Sequence, residues 1–369
     1  MRVGIDARML YYRAGGISTY IRGLVRGLAQ LPHSGLEFRV LHSRKDPHPL
    51  HEFPSGQLWT PCHHRLERSA LSLEIARFWL DVLHSPDFIP PRFGARRWVI
   101  TVHDLGFLHY PQFVTAESRR YYNGQIAHAV RHADQILAIS EATRTDLIAL
   151  LGVPPEKVYV HLLAADESYA PQPAEAVLQM RHALQLPARY LLFVGTFEPR
   201  KNLLGLLHGY RALLQQLPDA PPMVLAGNRG WLFEDTMHEI EAMQLQTHVL
   251  WRENIPQQWM PALYTGASAL LMPSFYEGFG LPALEAMACG TVPIVSNRSS
   301  LPEVVGEVGT QINPDDPTTI TAALVTLLTD EAWRAAQSVA ARARAAQFTW
   351  SAVAKVARDV YTNINAILV

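Results

Sequence analysis

Twelve short apolar runs recur along the chain, six in each half, and the stretches between them carry helical periodicity. In the first half the runs are Arg2–Ile5, Phe38–His42, Val82–Ser85, Trp98–His103, Gln135–Ser140 and Val158–Leu162. In the second half they are Tyr190–Gly195, Met223–Ala226, Val249–Arg252, Ala269–Pro273, Val292–Ser296 and Thr310–Asn313. Between runs, Ile17–Leu31, Glu117–Ala133 and Leu203–Leu214 space apolar residues at helical intervals. Strands that read as continuous apolar runs are buried on both faces, and intervening helices are what cover them. The pattern predicts an α/β fold of two Rossmann-like, doubly wound domains with parallel sheets. The apolar rhythm lapses at Ala164–Pro173, which divides the chain into residues 1–168 and 169–349. The tail Trp350–Leu368 reads as a last helix with Val353, Val356, Val360 and Ile364 on one stripe.

With 369 residues, 49% of them hydrophobic, the chain can bury two cores of ordinary size. A net charge of −1 supplies no global basic field, which argues against a nucleic-acid partner. Residues 1–170 carry 19 Lys/Arg against 16 Asp/Glu, and 12 of the 16 histidines. That mild basicity suits an anionic acceptor or a membrane face, and equally a solvated surface. Cys62 and Cys289 lie in different halves and make no disulfide framework, so a reducing compartment is expected. Met1–Asp6 enters a strand at once, without signal-peptide architecture, and no run approaches the length of a membrane span. Asn297-Arg-Ser299 matches a glycosylation acceptor, which has no meaning in a cytoplasmic protein.

Ligands of open α/β sheets bind beyond the carboxyl ends of strands, so chemistry is sought just after each apolar run. After Ala269–Pro273 comes Glu277-Gly-Phe-Gly-Leu-Pro-Ala-Leu-Glu285. Pro282 suits the first helical position and Gly290 a helix stop, so a helix is expected from Pro282 to Cys289. Before it, the backbone N–H groups of Gly278, Phe279, Gly280 and Leu281 can form an anion cradle at the helix N-terminus. A carboxylate only accepts hydrogen bonds, so Glu277 and Glu285 beside such a cradle suit hydroxyl donors of a sugar or ribose. The plainer reading is a strand–loop–helix turn whose glutamates favour the helix dipole. After Tyr190–Gly195 comes Gly195-Thr-Phe-Glu-Pro-Arg-Lys-Asn202, whose Arg200 and Lys201 alone read as a basic pair on a solvated loop but, with the Glu277 segment on the same sheet, combine a planar fork and a point charge suited to a diphosphate. In the first half, Ala14-Gly-Gly-Ile-Ser-Thr-Tyr20 is a second glycine-rich cradle, and Thr101-Val-His-Asp-Leu105 puts His103 and Asp104 at a strand end. Alone, a histidine there is usually structural and an adjacent aspartate usually caps a turn.

Together these motifs resemble the retaining nucleotide-sugar glycosyltransferases of the GT-B fold, specifically glycosyltransferase family 4. The resemblance spans nearly the whole chain and is most specific in Pro273-Ser-Phe-Tyr-Glu-Gly-Phe-Gly-Leu-Pro-Ala-Leu-Glu-Ala-Met-Ala-Cys-Gly290. It extends through Val295–Glu303, Ala226-Gly-Asn-Arg-Gly-Trp231 and Ala138-Ile-Ser-Glu-Ala-Thr-Arg144. It implies two domains facing a central cleft, with the helix of residues 350–369 crossing back to the N-terminal, acceptor-binding domain. It also implies that Glu277 contacts the transferred sugar and Glu285 the donor ribose. Arg200 and Lys201 would neutralise the diphosphate with the amides of Gly278–Leu281. His103 would lie near the sugar, Gly15 and Gly16 would form the first loop, and the base would sit near Val249–Asn254. Two departures stand out. Thr196 occupies a place where many relatives have arginine, so Arg200 and Lys201 must supply that charge, and Ala164-Ala165 replaces a common Asn-Gly pair at the hinge.

The implied reaction is retaining transfer of a hexose, giving an α-linkage, from a nucleotide-sugar substrate to a glycan or lipid-linked acceptor. No further cofactor is implied. No DxD-type motif stands beside the cradle, so the cations and helix N-terminus would stand in for a metal ion. The Thr196-Phe-Glu-Pro-Arg-Lys-Asn202 form resembles bacterial family members that use GDP-mannose, which implies mannose first and a UDP-hexose second. His63–Trp79 mixes basic and apolar residues and reads as an amphipathic helix, packed on its sheet or lying as a peripheral contact on the inner face of a membrane. Two rivals remain: a non-catalytic nucleotide-sugar sensor or partner subunit, and a nucleotide-sugar epimerase of the same fold.

Overall fold

The computed structural model of the chain describes all residues except 13–14, 34, 65, 115, 231–232 and 365–369, and only the backbone of 116–118 and 120. Two compact units emerge: Met1–Ala164 together with the chain from Thr349 onward, and Ala165–Phe348.

The first unit is built on seven parallel strands: β1 (Arg2–Asp6), β2 (Glu37–Ser43), β3 (Ser55–Leu58), β4 (Leu80–Ser85), β5 (Ala95–Val102), β6 (Gln135–Ala138) and β7 (Val158–Val160). Their order in the sheet is β3-β2-β1-β4-β5-β6-β7, with β1 pairing Val3 to Val82 of β4 and Val3 to Phe38 of β2. Six of the seven coincide with apolar runs read from the sequence. The exception is β3, an edge strand of Ser-Gly-Gln-Leu that alternates exposed and buried and offers no apolar run.

Helix α1 (Gly16–Ala29) follows β1 and buries Tyr20, Ile21, Leu24, Val25 and Leu28. The helical reading of His63–Trp79 needs correction: the helix is only α2 (Glu67–Ala76), and Arg65 lies outside the described residues. Glu67, the first residue of that helix, has its carboxylate buried against Arg8, 2.8 Å away. Beyond Ala76, Phe78 and Trp79 turn away, the latter at φ 53° and largely exposed. Helix α3 (Ala116–His132) precedes β6.

In the second unit six parallel strands, β8 (Leu191–Val194), β9 (Met223–Ala226), β10 (Val249–Arg252), β11 (Ala269–Met272), β12 (Pro293–Ser296) and β13 (Thr310–Ile312), run in the order β10-β9-β8-β11-β12-β13. All six match apolar runs. Helices include α4 (Ala174–Leu184), α5 (Leu203–Gln216), α6 (Met260–Thr265) and α7 (Leu281–Ala288). Fully buried Phe193, Leu206, Tyr210, Leu225, Leu271 and Leu324 join strands to covering helices in one core. Each such side chain contributes roughly 1.5–3 kcal/mol relative to exposure.

The chain then returns to the first unit as α8 (Trp350–Asn363), whose remaining predicted residues 365–368 lie outside the described residues. α8 lies on α1 so closely that a Cβ added at Gly23 would stand 2.2 Å from the Trp350 ring. Val353, Ala354, Ala357, Val360, Tyr361 and Ile364 are buried, whereas Val356 is half-buried, so the apolar stripe is centred beside the one expected.

Strand order reverses between β1 and β4 in the first sheet and between β8 and β11 in the second. At such a switch point the loops leaving the two central strands part in opposite directions and open a crevice at their carboxyl ends. In the second unit those are the loops after Val194 and after Met272. Among the described residues, no helix is long and apolar enough to cross a membrane.

Candidate functional site

The loop after β11 reaches α7 through Gly280, whose φ of 102° lies where a side chain is strained and where a Cβ would meet Leu301 at 2.6 Å. That residue caps the helix, so α7 begins at Leu281 with Pro282 second, one residue earlier than expected at each end. The N–H groups of Phe279, Gly280 and Leu281 find no acceptor among the described residues; Leu281 opens the helix, where an N–H has no intrahelical partner. The loop is held by serines that sequence reasoning overlooked. Ser300 Oγ lies 2.8 Å from the carbonyls of both Glu277 and Phe279, and the Glu277 N–H donates to Ser299 Oγ at 2.8 Å.

The loop after β8 meets it. The Phe275 N–H donates to the Arg200 carbonyl at 2.8 Å. Asn202 caps α5 through its side chain and donates Nδ2–H to the carbonyls of Pro273 (3.2 Å) and Pro314 (2.7 Å). Asn202 sits at φ 55°, a left-handed backbone that asparagine tolerates better than most residues. One residue therefore pins three segments.

Glu277 lies at this junction, 6% exposed. Its Oε1 accepts from Lys201 Nζ at 2.6 Å and from Ser274 Oγ at 2.7 Å, and its Oε2 from Arg200 Nη1 at 2.9 Å. Burial alone would raise its pKa; the charges of Lys201 and Arg200, with the hydrogen bonds from Lys201 and Ser274, instead hold it at about 2. Burial draws Lys201 below the usual lysine range, against the attraction of Glu277. Arg200 also pairs with Glu198 at 2.9 Å. Arg200, Lys201 and Glu277 are thus brought together, but the two cations face two carboxylates and the cluster sums to zero charge. Both cations expected to meet a diphosphate are thus already paired with carboxylates.

Glu285 belongs to a separate network. It is half-buried on α7 and accepts from Tyr264 Oη at 2.8 Å. Burial raises its pKa to about 7, against hydrogen bonds from Tyr264 and Tyr169. The two glutamates of one motif therefore titrate about five units apart because only one has cations beside it. Thr196 lies half-buried in the loop after β8, its carbonyl accepting from the Glu198 N–H at 2.9 Å. Phe279 is buried, with its ring 6.1 Å from that of Phe348. In the segment expected to hold the base, Trp251 Nε1–H donates to the Gly227 carbonyl and Arg252 binds the carbonyls of Leu184 and Gln185 at the end of α4.

The first unit carries the other expected residues. His103 follows β5 and its Nε2–H donates to the Pro86 carbonyl at 2.7 Å, which leaves Nδ1 as the acceptor of a neutral ring. Burial lowers its pKa. Tyr20 packs edge-on at 5.2 Å and is tied through Thr101 and His84 to Tyr361 of α8, with contacts of 2.9, 2.8 and 2.6 Å. Asp104 accepts from the Gly106 N–H and so caps a turn. Gly16 starts α1, and Gly15 before it faces open space where a Cβ would sit; Ala14 lies outside the described residues.

Residues 179–345 match the family model described as glycosyl transferases group 1, and residues 14–166 that of glycosyltransferase family 4. The O-antigen chain mannosyltransferase B of Escherichia coli is 34% identical over 270 residues, 73% of this chain and 71% of its own length. The serotype-specific mannosyltransferase WbdA of Escherichia coli is 32% identical over 67% of this chain, but the match spans only 31% of that longer protein. Among solved structures, sucrose-phosphate synthase of Thermosynechococcus elongatus superimposes with a TM-score of 0.78 at 21% identity, covering 99% of each chain. Anabaena HepE, solved with UDP and glucose, gives 0.75 at 16% identity over 98% of this chain and 100% of its own. These structural likenesses show the GT-B fold. Taken with the family matches over both halves, they place this chain in the group 1, family 4 glycosyltransferases, as a glycosyl-transferring enzyme.

Proposed function

We propose that this glycosyltransferase moves mannose from GDP-mannose to a glycan or lipid-linked acceptor, with retention and hence an α-linkage. The observation that carries the reading is Glu277, held ionised by Arg200 and Lys201 beside the N-terminus of α7. In transfer, the bond from the sugar C1 to the diphosphate oxygen breaks, and a bond from C1 to the acceptor oxygen forms on the same face. The acceptor's proton leaves on the departing phosphate oxygen. Lysine has three donors and arginine five, so Lys201 and Arg200 can share Glu277 with the diphosphate. Together with the amides of Phe279–Leu281 they meet charge that grows as the bond breaks, and stabilisation that grows with it lowers the barrier. These groups support a reaction in which no divalent ion is needed. Glu277 then holds the sugar, Glu285 the ribose, and His103, neutral, offers an acceptor to a hydroxyl.

Mannose as the sugar is supported by the names of the Escherichia coli relatives, and HepE, with its UDP and glucose, marks the alternative donor class. Donor hydrolysis or transfer by the purified protein, lost in Glu277→Gln, tests catalysis; tight binding without turnover under any acceptor favours a sensor. A changed sugar on the free nucleotide, with no acceptor present, favours an epimerase. Thermal shifts with GDP and UDP test the base, since a ligand at 100 times its Kd stabilises by about 2.7 kcal/mol. A larger shift with UDP overturns the mannose assignment. Sedimentation with anionic liposomes tests the peripheral membrane contact of the first unit.

A further inference from the structure

Glu277 has two cations; among the described residues Glu285 has none. Its partners are phenols. Tyr264, fully buried on α6, donates to Glu285 Oε2 at 2.8 Å. Tyr169 also faces Glu285, and its hydroxyl oxygen accepts from Gln257 Nε2 at 2.8 Å. The two rings meet edge to face, with centroids 5.8 Å apart at 61°. Around Tyr264 the backbone is fixed twice, by Thr291 Oγ1 donating to the Tyr264 carbonyl at 2.6 Å and by Tyr190 Oη donating to that of Leu263 at 2.7 Å. These backbone bonds fix the segment that presents the Tyr264 hydroxyl to Glu285.

We propose that Tyr264 and Tyr169 are positioning residues for nucleotide recognition: they donate to one side of the Glu285 carboxylate and hold its remaining lone pairs toward a vicinal pair of hydroxyls on the donor's ribose. The proposal rests on the reading of Glu285 as the ribose contact. Phenols suit this task because they donate without neutralising the charge. A lysine would form an ion pair and compete with the weaker hydroxyl donors of a sugar. Both phenols are raised above the usual tyrosine range by burial and by the charge of Glu285, so they stay protonated across the working range. The other titratable groups facing Glu285 are Asp166, whose charge disfavours ionisation, and the buried thiol of Cys289.

A proton linkage follows. Hydroxyls that donate to Glu285 favour its ionised form, so nucleotide-sugar binding below about pH 7 expels a proton. The probes are GDP-mannose and UDP-glucose, whose diphosphate diesters do not titrate near neutrality, each measured by calorimetry against the full chain from pH 5.5 to 8.5. Whichever binds tightens about tenfold between pH 6 and the alkaline plateau in the unmodified protein, the factor by which protonation exceeds ionisation one unit below the midpoint. Glu285→Gln weakens binding and flattens the profile. Tyr264→Phe moves the midpoint to higher pH, so affinity lost at pH 7 is recovered at pH 8.5, and Tyr169→Phe moves it the same way by a smaller amount. If both phenylalanine variants are folded and weaken binding equally at every pH, or keep the original midpoint, the positioning role is overturned while the Glu285 contact stands. If Tyr264→Phe does not fold, Tyr169→Phe alone decides. If Glu285→Gln binds as tightly as the unmodified protein, the ribose assignment itself has failed.

Discussion

Replacing Lys201 with methionine removes a buried cation while keeping most of its volume. Glu277 titrates at about 2 instead of 4.5, and at 1.36 kcal/mol per unit that difference is worth about 3 kcal/mol of folding free energy at pH 7. Lys201 is the first of the charges responsible, and removing one partner of a buried pair typically costs about 3–5 kcal/mol because the other is stranded. Arg200 and Ser274 remain, so the lower end, about 3 kcal/mol, is expected. The folded pKa is depressed, so this stability is present above pH 4.5 and is lost as the pH falls toward 2. The gap between Lys201→Met and the unmodified protein therefore narrows across that window. Urea denaturation at pH 7 and pH 3, with hydrogen exchange of peptides from residues 190–300 to isolate the second unit, measures it. The double variant Lys201→Met, Glu277→Gln strands no charge and should be destabilised by clearly less than the sum of the singles. A loss below about 1 kcal/mol for Lys201→Met at pH 7, or an additive double variant, would refute the account of this pair.

Asn202→Ala removes a helix cap and two buried hydrogen bonds, for a loss of about 2–4 kcal/mol by urea denaturation, and donor turnover should fall with it because three loops lose their common anchor. Gly280→Ala adds a Cβ 2.6 Å from Leu301 at φ 102°; donor binding should weaken by tenfold or more in titrations, with a smaller change in melting temperature. The pKa of Glu285 is raised on folding, so its ionisation works against stability as pH climbs from 4.5 to 7. Glu285→Gln should gain stability relative to the unmodified protein over that window, read from urea midpoints at pH 5 and 8. Tyr361→Phe breaks the 2.6 Å contact to His84 and should loosen α8, seen as faster hydrogen exchange in residues 350–363.

The strands were legible because parallel strands buried on both faces must be written as apolar runs, and all twelve such runs became strands. The edge strand β3 was not, since half of it faces solvent and its Gly-Gln pair looks like a turn. Helix α7 was legible through Pro282, but its start depended on the left-handed Gly280, which sequence shows only as one glycine among two. At the site, the positions of Glu277, Glu285, Arg200 and Lys201 after strands were readable; their pairing was not. Lys201 and Glu277 are 76 residues apart, and nothing local says that a basic pair will turn toward a carboxylate before it meets a phosphate. Ser274, Ser299 and Ser300 were invisible because serine is ordinary in loops. Tyr264 was invisible because tyrosine in a helix reads as core, and Tyr169 because it stands in the polar, proline-containing stretch that reads as a linker.

The return of α8 to the first unit bears on how the protein is made. Trp350 fills the surface left open by Gly23 and Gly27, and Tyr361 completes the hydrogen bonds of His84, a residue 277 positions earlier. During synthesis the first unit emerges first but waits for the last helix, while the second unit is continuous and can close on its own as soon as it has emerged. A ribosome adding about 5–20 residues per second leaves that wait at tens of seconds. Through that interval the first unit lacks its cover over Gly23 and Gly27, so of the two units the one made first matures second.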